Sequence, residues 1–142
     1  NNIKVGTATV RVEGTGKYGG WIEKKFTIMP KVSYRTQVQT YGWEKNYAAN
    51  GAISGMIGKA KRLEAIQIKL TGEDAEKYDV YYRVHAQSYG WLNWAKNGEI
   101  SGTAGCAKRL EGIQIIVVEK GAKINTSVGG VKSANSSSYI IK

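Results

Sequence analysis

The side chains able to do bond-making chemistry are few, and most fall into two matched sets. Arg62 stands two residues before Glu64, and Arg109 stands two residues before Glu111. In an extended strand, residues two apart point to the same side, so each carboxylate meets a guanidinium and reads as an ion pair rather than a free general acid. Strand parity also puts Arg62, Glu64, Ile66, Ile68 and Leu70 in one row, and Arg109, Glu111, Ile113, Ile115 and Val117 in another. A carboxylate at the start of a core-facing row must find partners, so Glu64 and Glu111 are expected to accept hydrogen bonds from backbone or from the adjacent Arg. His85 is the only histidine, and its counterpart in the other set is Gln37, so a duplicated site cannot rest on it; it reads as a surface or hydrogen-bonded structural residue. Cys106 has no second thiol to pair with and no histidine at metal-ligand spacing, and reads as a small buried filler. No nucleophile, base or metal constellation recurs, so no catalytic residue, metal or cofactor is expected.

The aromatic residues make a stronger case for recognition. Alternation from Tyr34 puts Tyr34, Thr36 and Val38 on one face and Arg35, Gln37, Gln39, Tyr41 and Trp43 on the other; Arg83, His85, Gln87, Tyr89 and Trp91 repeat the second face. Rings stack on sugars or anchor protein interfaces, and polar neighbours fix orientation. The competing reading is that Gly42 and Gly90 permit a positive φ that turns Trp43 and Trp91 into the core. Trp94 and Tyr47 occupy equivalent loop positions with different identities and are the first candidates for an exposed contact, followed by Tyr41 and Tyr89.

The scaffold for these residues is a duplicated unit. Tyr34-Arg35 to Tyr41-Gly42-Trp43 recurs as Tyr82-Arg83 to Tyr89-Gly90-Trp91, shifted by 48 positions. Asn50-Gly51-Ala52-Ile53-Ser54-Gly55 recurs as Asn97-Gly98-Glu99-Ile100-Ser101-Gly102, shifted by 47. Lys61 to Ile68 returns as Lys108 to Ile115. Val32–Gln39, Val80–Gln87, Ile66–Leu70 and Ile113–Val118 carry the β-branched and aromatic residues of strands, and Asn-Gly marks a tight turn in each copy. Gly72 to Lys77 reads as a polar connection that could add a helical turn. Thr7–Glu13 and Trp21–Ile28 flank a glycine-rich turn and predict a hairpin, and Met29-Pro30-Lys31 breaks the ladder after it. The divisions are 1–30 for the hairpin, 31–79 and 80–124 for the copies, and 125–142 for a polar, Gly/Ser-rich linker.

The expected fold is all-β and antiparallel, with two pseudo-symmetric repeats forming a barrel-like sandwich; part of a trefoil lacking a third copy is the other arrangement that about four short strands per copy allow. A length of 142 residues suits one domain or two small ones, and a net charge of +10 draws in anionic partners or serves solubility. With no RNP-like motif, zinc-finger spacing or basic helix, nucleic acid is not an expected partner. No apolar run approaches the roughly 20 residues of a spanning helix, so membrane insertion is not expected either. The abrupt start at Asn1 and the Ser-rich end suggest an excerpt whose export signal and anchor lie elsewhere.

Tyr41-Gly42-Trp43, Ile53-Ser54-Gly55 and Arg62-Leu63-Glu64-Ala65-Ile66, with their second-copy equivalents, resemble the clostridial hydrophobic, tryptophan-containing (ChW) repeats. Met56 opposite Thr103, and the smaller Ala86 and Gly112 opposite Val38 and Ala65, are points where the copies differ. The hairpin Gly6–Val10 to Lys25–Ile28 resembles the closing strands of a bacterial Ig-like domain. The resemblance implies an exported, extracellular module of a Gram-positive cell-surface protein that binds or adheres rather than catalyses. Its implied partner is a host glycoprotein or immunoglobulin, as for superantigen-like surface proteins of gut bacteria. A cell-wall or surface-glycan module is the second class, and an enzyme fragment the third.

Overall fold

A computed structural model describes residues 6–28 and 30–142; Met29, part of the expected break, and residues 1–5 lie outside it. Among the described residues the chain is all-β, with two short 3₁₀ turns at Ala75–Lys77 and Val128–Gly130. The N-terminal hairpin forms as expected: β1 (Gly6–Glu13) pairs antiparallel with β2 (Trp21–Ile28), with Glu13 opposite Trp21.

Each repeat builds the same sheet from the same signals. In the first, β3 (Lys31–Val38) pairs with β4 (Gly42–Trp43), β5 (Ala48–Ala49) and β6 (Leu63–Thr71). In the second, β7 (Tyr78–Ala86) pairs with β8 (Gly90–Trp91), β9 (Ala95–Lys96) and β11 (Leu110–Glu119). Asn50-Gly51 and Asn97-Gly98 all take positive φ, as a tight Asn-Gly turn requires. Each Asn side chain also accepts from the first core residue of its repeat, Val32 N–H at 3.1 Å and Val80 N–H at 2.9 Å. That bond ties the turn to the start of the unit.

The repeats are not separate halves. β10 (Ile100–Ala104), which belongs to the second repeat by sequence, pairs antiparallel with β6 of the first, and β12 (Tyr139–Ile141) pairs parallel with β10. One sheet therefore runs β12-β10-β6-β3-β4 and the other β11-β7-β8, with β5 on β3 and β9 on β7. At the junction Gly102 has φ 139°, and a Cβ there would lie 2.4 Å from the Ala65 Cα. Only glycine fits so close a backbone approach.

The two sheets face each other across Ile68, Val80, Tyr82 and Ala95, flanked by Val32, Tyr34, Ile66, Leu70 and Val117. A second cluster gathers Val84, Ala86 and Leu92 with Ile66, Tyr89, Leu110 and Ile140. Of these, the fully buried Ile68, Val80, Val84 and Leu92 side chains contribute about 1.5–3 kcal/mol each. The arrangement is a sandwich and not a closed barrel, because β4 and β11 end their sheets unjoined.

Two expectations are corrected. Parity does not run through the Arg-Leu-Glu segments: Val38 opposes Leu63 while Gln37 opposes Ala65, so Glu64 is the additional residue of a bulge, and Glu111 is its equivalent between Leu110 and Gly112. The bulge separates the charged pair from the core row that begins at Ile66. The C-terminal segment is not a linker. It runs back over the second repeat, where Ala134 N–H donates to the Trp91 carbonyl at 2.8 Å and Asn93 N–H to that of Ser137 at 3.0 Å.

Candidate binding site: two arginine cages

Each repeat holds an arginine between two rings on the outer face of its sheet. Arg35 lies directly across from Gln67 in the β3–β6 register, and its Nε donates to Gln67 Oε1 at 2.8 Å. Its guanidinium carbon sits 5.2 Å from the Trp43 ring and 4.9 Å from the Tyr47 ring. In the second repeat Arg83 lies across from Gln114, donates from Nε to Gln114 Oε1 at 2.7 Å, and stands 5.3 Å from the Trp91 ring and 4.6 Å from that of Trp94. A cation over a ring face is held by the ring quadrupole, and arginine keeps its remaining N–H groups for a further acceptor.

The tryptophans reach this face because Gly42 and Gly90 take φ of 75° and 73°, which returns the chain antiparallel to the first strand and sets Trp43 opposite Gln37 and Trp91 opposite His85. The glycines have the foreseen conformation, but the rings are half-buried beside arginine rather than in the core. Tyr47, Trp94 and Tyr89 are also half-buried, and Tyr41 is exposed. Trp94 is not the bare loop contact expected: its Nε1 donates to the Thr126 carbonyl at 3.2 Å.

The cages differ in what covers them. Arg83 is fully buried, because its Nη2 donates to the Val131 carbonyl at 2.9 Å and its Nη1 to Ser133 Oγ at 3.0 Å. Burial lowers the guanidinium pKa from its ordinary value, yet arginine stays charged at neutral pH. The chain's own small-residue segment thus fills the second cage with backbone carbonyl and hydroxyl oxygens. Among the described residues Arg35 has only the more distant Glu44 carbonyl, at 3.4 Å, in addition to Gln67, and it is half-buried where Arg83 is fully buried. Beside it, Lys69 Nζ lies 4.1 Å from the Tyr47 ring, and a shallow depression of about 390 Å³ opens along Glu44, Tyr47, Ala52 and Ile53.

Glu44 organises the loops around this first cage. It takes the chain position of Leu92, a core residue of the second repeat, and uses its carboxylate instead. Oε2 accepts from Thr36 N–H at 2.8 Å, from the Thr36 hydroxyl and from the Ser54 hydroxyl, and Oε1 accepts from Gly55 N–H at 2.8 Å. Burial would raise its pKa, but these bonds outweigh it and hold the carboxyl below its ordinary value.

The expected ion pairs form. Arg62 and Glu64 meet at 2.8 Å, as do Arg109 and Glu111, and Glu111 also lies 3.3 Å from His85 Nδ1. They sit at the bulges, so each fixes a corner. Cys106 is half-buried, with its thiol 3.3 Å from the Ala104 carbonyl, which makes it less enclosed than the filler expected. Sequence reading missed Gln67 and Gln114 as cage members. The signal was available: in both Ile-Gln-Ile strands the polar residue alternates with two isoleucines and so points to the opposite face of the sheet.

The profile of the ChW family, Clostridial hydrophobic W, matches residues 37–72 and 85–119, together half of the chain. Each match contains the cage rings and glutamine, namely Trp43, Tyr47 and Gln67, then Trp91, Trp94 and Gln114. No curated protein and no solved structure matches the chain. With the profile recurring on both structurally equivalent units, the chain belongs to the Clostridial hydrophobic W family.

Proposed function

We propose that this chain is a non-catalytic binding and adhesion module of an extracellular, Gram-positive cell-surface protein, and that the open cage of the first repeat, Arg35 with Trp43 and Tyr47, receives a protein ligand. The observation that carries this reading is the self-occupancy of the second cage: Arg83 and its two tryptophans hold an extended backbone through Val131 and Ser133. The same side-chain set in the first repeat, with tyrosine for one tryptophan, presents a half-buried arginine that, among the described residues, no chain segment covers as Val131 and Ser133 cover Arg83. A host glycoprotein such as an immunoglobulin is the candidate ligand, anchored by an aromatic and arginine cluster of the kind that dominates protein interfaces. Surface display accords with the family, and among the described residues no helix is long and apolar enough to cross a membrane. The Ig-like reading of the hairpin is supported by Val12, Trp21 and Ile22, which it leaves more than half exposed, as an unfinished sheet face does.

A cell-wall glycan is the second reading, favoured by the net charge of +10 and by the exposed Tyr41 ring. The two differ in salt response, because long-range attraction to an anionic polymer is screened whereas a packed aromatic contact is not. Capture from host secretions, run beside capture by purified cell wall over a salt series, separates them. Retention by immunoglobulin at high salt supports the proposal, and retention by wall alone, lost with salt, overturns it.

A further inference from the structure

The junction that joins the two repeats is present twice more in this molecule, each time as one unmatched half. In the formed junction β10 lies along β6, with Ile100 opposite Gln67, Ser101 opposite Ile66 and Gly102 opposite Ala65. Ser101 and Thr103 are fully buried there, and Ile68 on the accepting strand is 1% exposed. The equivalent of β6 in the second repeat is β11, and among the described residues β11 pairs only with β7. Its Ile113 and Ile115, equivalent to Ile66 and Ile68, are 46% and 49% exposed. The equivalent of β10 in the first repeat is Ile53-Ser54-Gly55-Met56-Ile57, which joins no sheet, and its Ile53 and Ile57 are 71% and 76% exposed.

The loose segment is already set for pairing. In β10 the Gly102 N–H donates to the Ser138 carbonyl, away from β6. In the first repeat the Gly55 N–H donates to Glu44 in the same sense, so a carboxylate does for this segment what the C-terminal strand does for β10. At Gly55 the side that Gly102 turns toward β6 meets only side-chain atoms of Leu63 and Thr36, the nearest at 3.1 Å from an added Cβ, and no strand. Beside the accepting edge an apolar slot of about 220 Å³ lies between the sheets, lined by Leu63 and Ile66 of β6, Val84 of β7 and Leu110, Gly112 and Ile113 of β11. Gly112 stands where Ala65 receives Gly102, and the Trp91 ring packs 3.3 Å from where its Cβ would be. An exposed apolar edge strand is a template for adding another strand.

We infer that the β11 edge docks the Ile53–Ile57 segment of a second copy of this chain, as an antiparallel strand in the register of the internal junction: Ile53 opposite Gln114, Ser54 opposite Ile113, Gly55 opposite Gly112. Such a contact is head-to-tail, so each copy retains one unused half and association can continue. It is independent of the ligand at the Arg35 cage.

Sedimentation velocity of the whole chain over a concentration series tests this. The expected result is self-association that grows with concentration. Ile113→Lys and Ile53→Lys each remove it; the melting temperature stays close to that of the parent in Ile53→Lys, where the side chain is 71% exposed, and falls modestly in Ile113→Lys, where it is 46% exposed. An equal mixture of the two variants restores a dimer and nothing larger, since each contributes the half the other has lost. A parent chain that stays monomeric up to millimolar concentration overturns the inference, as does association that survives either substitution. A mixture that stays monomeric overturns the head-to-tail pairing. Loss of stability in Ile113→Lys without any self-association of the parent assigns the edge to closure within one chain and also overturns it.

Discussion

The Arg83 guanidinium donates to the Val131 carbonyl at 2.9 Å, closing over the second repeat a cage whose counterpart in the first repeat is only half-buried. Two arginines with equivalent strand positions and glutamine partners, and with ring neighbours that differ only in Tyr47 for Trp94, therefore have different work to do. Arg83→Ala removes three hydrogen bonds from a fully buried site, leaves Val131 and Gln114 short of a donor, and is expected to cost about 2–4 kcal/mol of stability. Arg35→Ala leaves a half-exposed site and is expected to cost under about 1 kcal/mol. Denaturant unfolding of the two variants reads the difference; equal losses count against the asymmetry.

Gly102→Ala tests the coupling of the repeats. The added methyl meets the Ala65 Cα and the Glu64 carbonyl at 2.4 Å on a backbone with φ 139°, so β10 must move off β6. The expected loss is about 2–4 kcal/mol in a single cooperative transition. Gly51→Ala, with nothing within 4 Å of its added methyl, bears only the conformational penalty and serves as the comparison.

Acid should destabilise the fold through two carboxylates. Asp79 is buried and accepts from Asn97 and the Gly121 N–H while pairing with Lys96 and Lys120; burial alone would raise its pKa, but these partners hold it far below the ordinary range. Glu44 is lowered for the reasons given above. Both pKa values are depressed in the folded state, so their contribution is fully present above the unfolded carboxylate value of about 4 and is lost as pH falls below it. Melting temperature should hold steady from neutral pH down to about 4 and then drop. In Asp79→Asn the neutral-pH value is lower and the acid drop shallower; an unchanged acid limb in that variant contradicts the assignment.

Strand positions, the Asn-Gly turns and the ion pairs were legible because they are local: a two-residue period, a positive-φ turn and a two-residue spacing. The bulges were not, because an additional residue in one strand is defined only by its partner, and Glu64 looks like part of an unbroken alternation until Val38 is seen opposite Leu63. Similarly, Gly/Ser content made residues 125–142 look like a linker, whereas small residues are what let that segment lie flat over Arg83, Trp91 and Trp94. The crossing of β10 into the first repeat's sheet is a long-range pairing with no local signature beyond the glycine that permits it. Glu44 illustrates the same limit: alone it is a loop carboxylate, and only Thr36, Ser54 and Gly55 around it show what it holds.

Isothermal titration of immunoglobulin G into the parent chain, Arg35→Ala and Arg83→Lys, with melting temperatures measured on the same samples, bears on the open cage most directly. If Arg35 with Trp43 and Tyr47 is the contact, Arg35→Ala loses at least about 2 kcal/mol of binding, roughly thirtyfold in Kd, while its melting temperature stays near that of the parent. Arg83→Lys loses stability and keeps its affinity. Unchanged affinity in Arg35→Ala, or lost affinity in Arg83→Lys alone, contradicts the assignment of the first repeat's cage as the binding site.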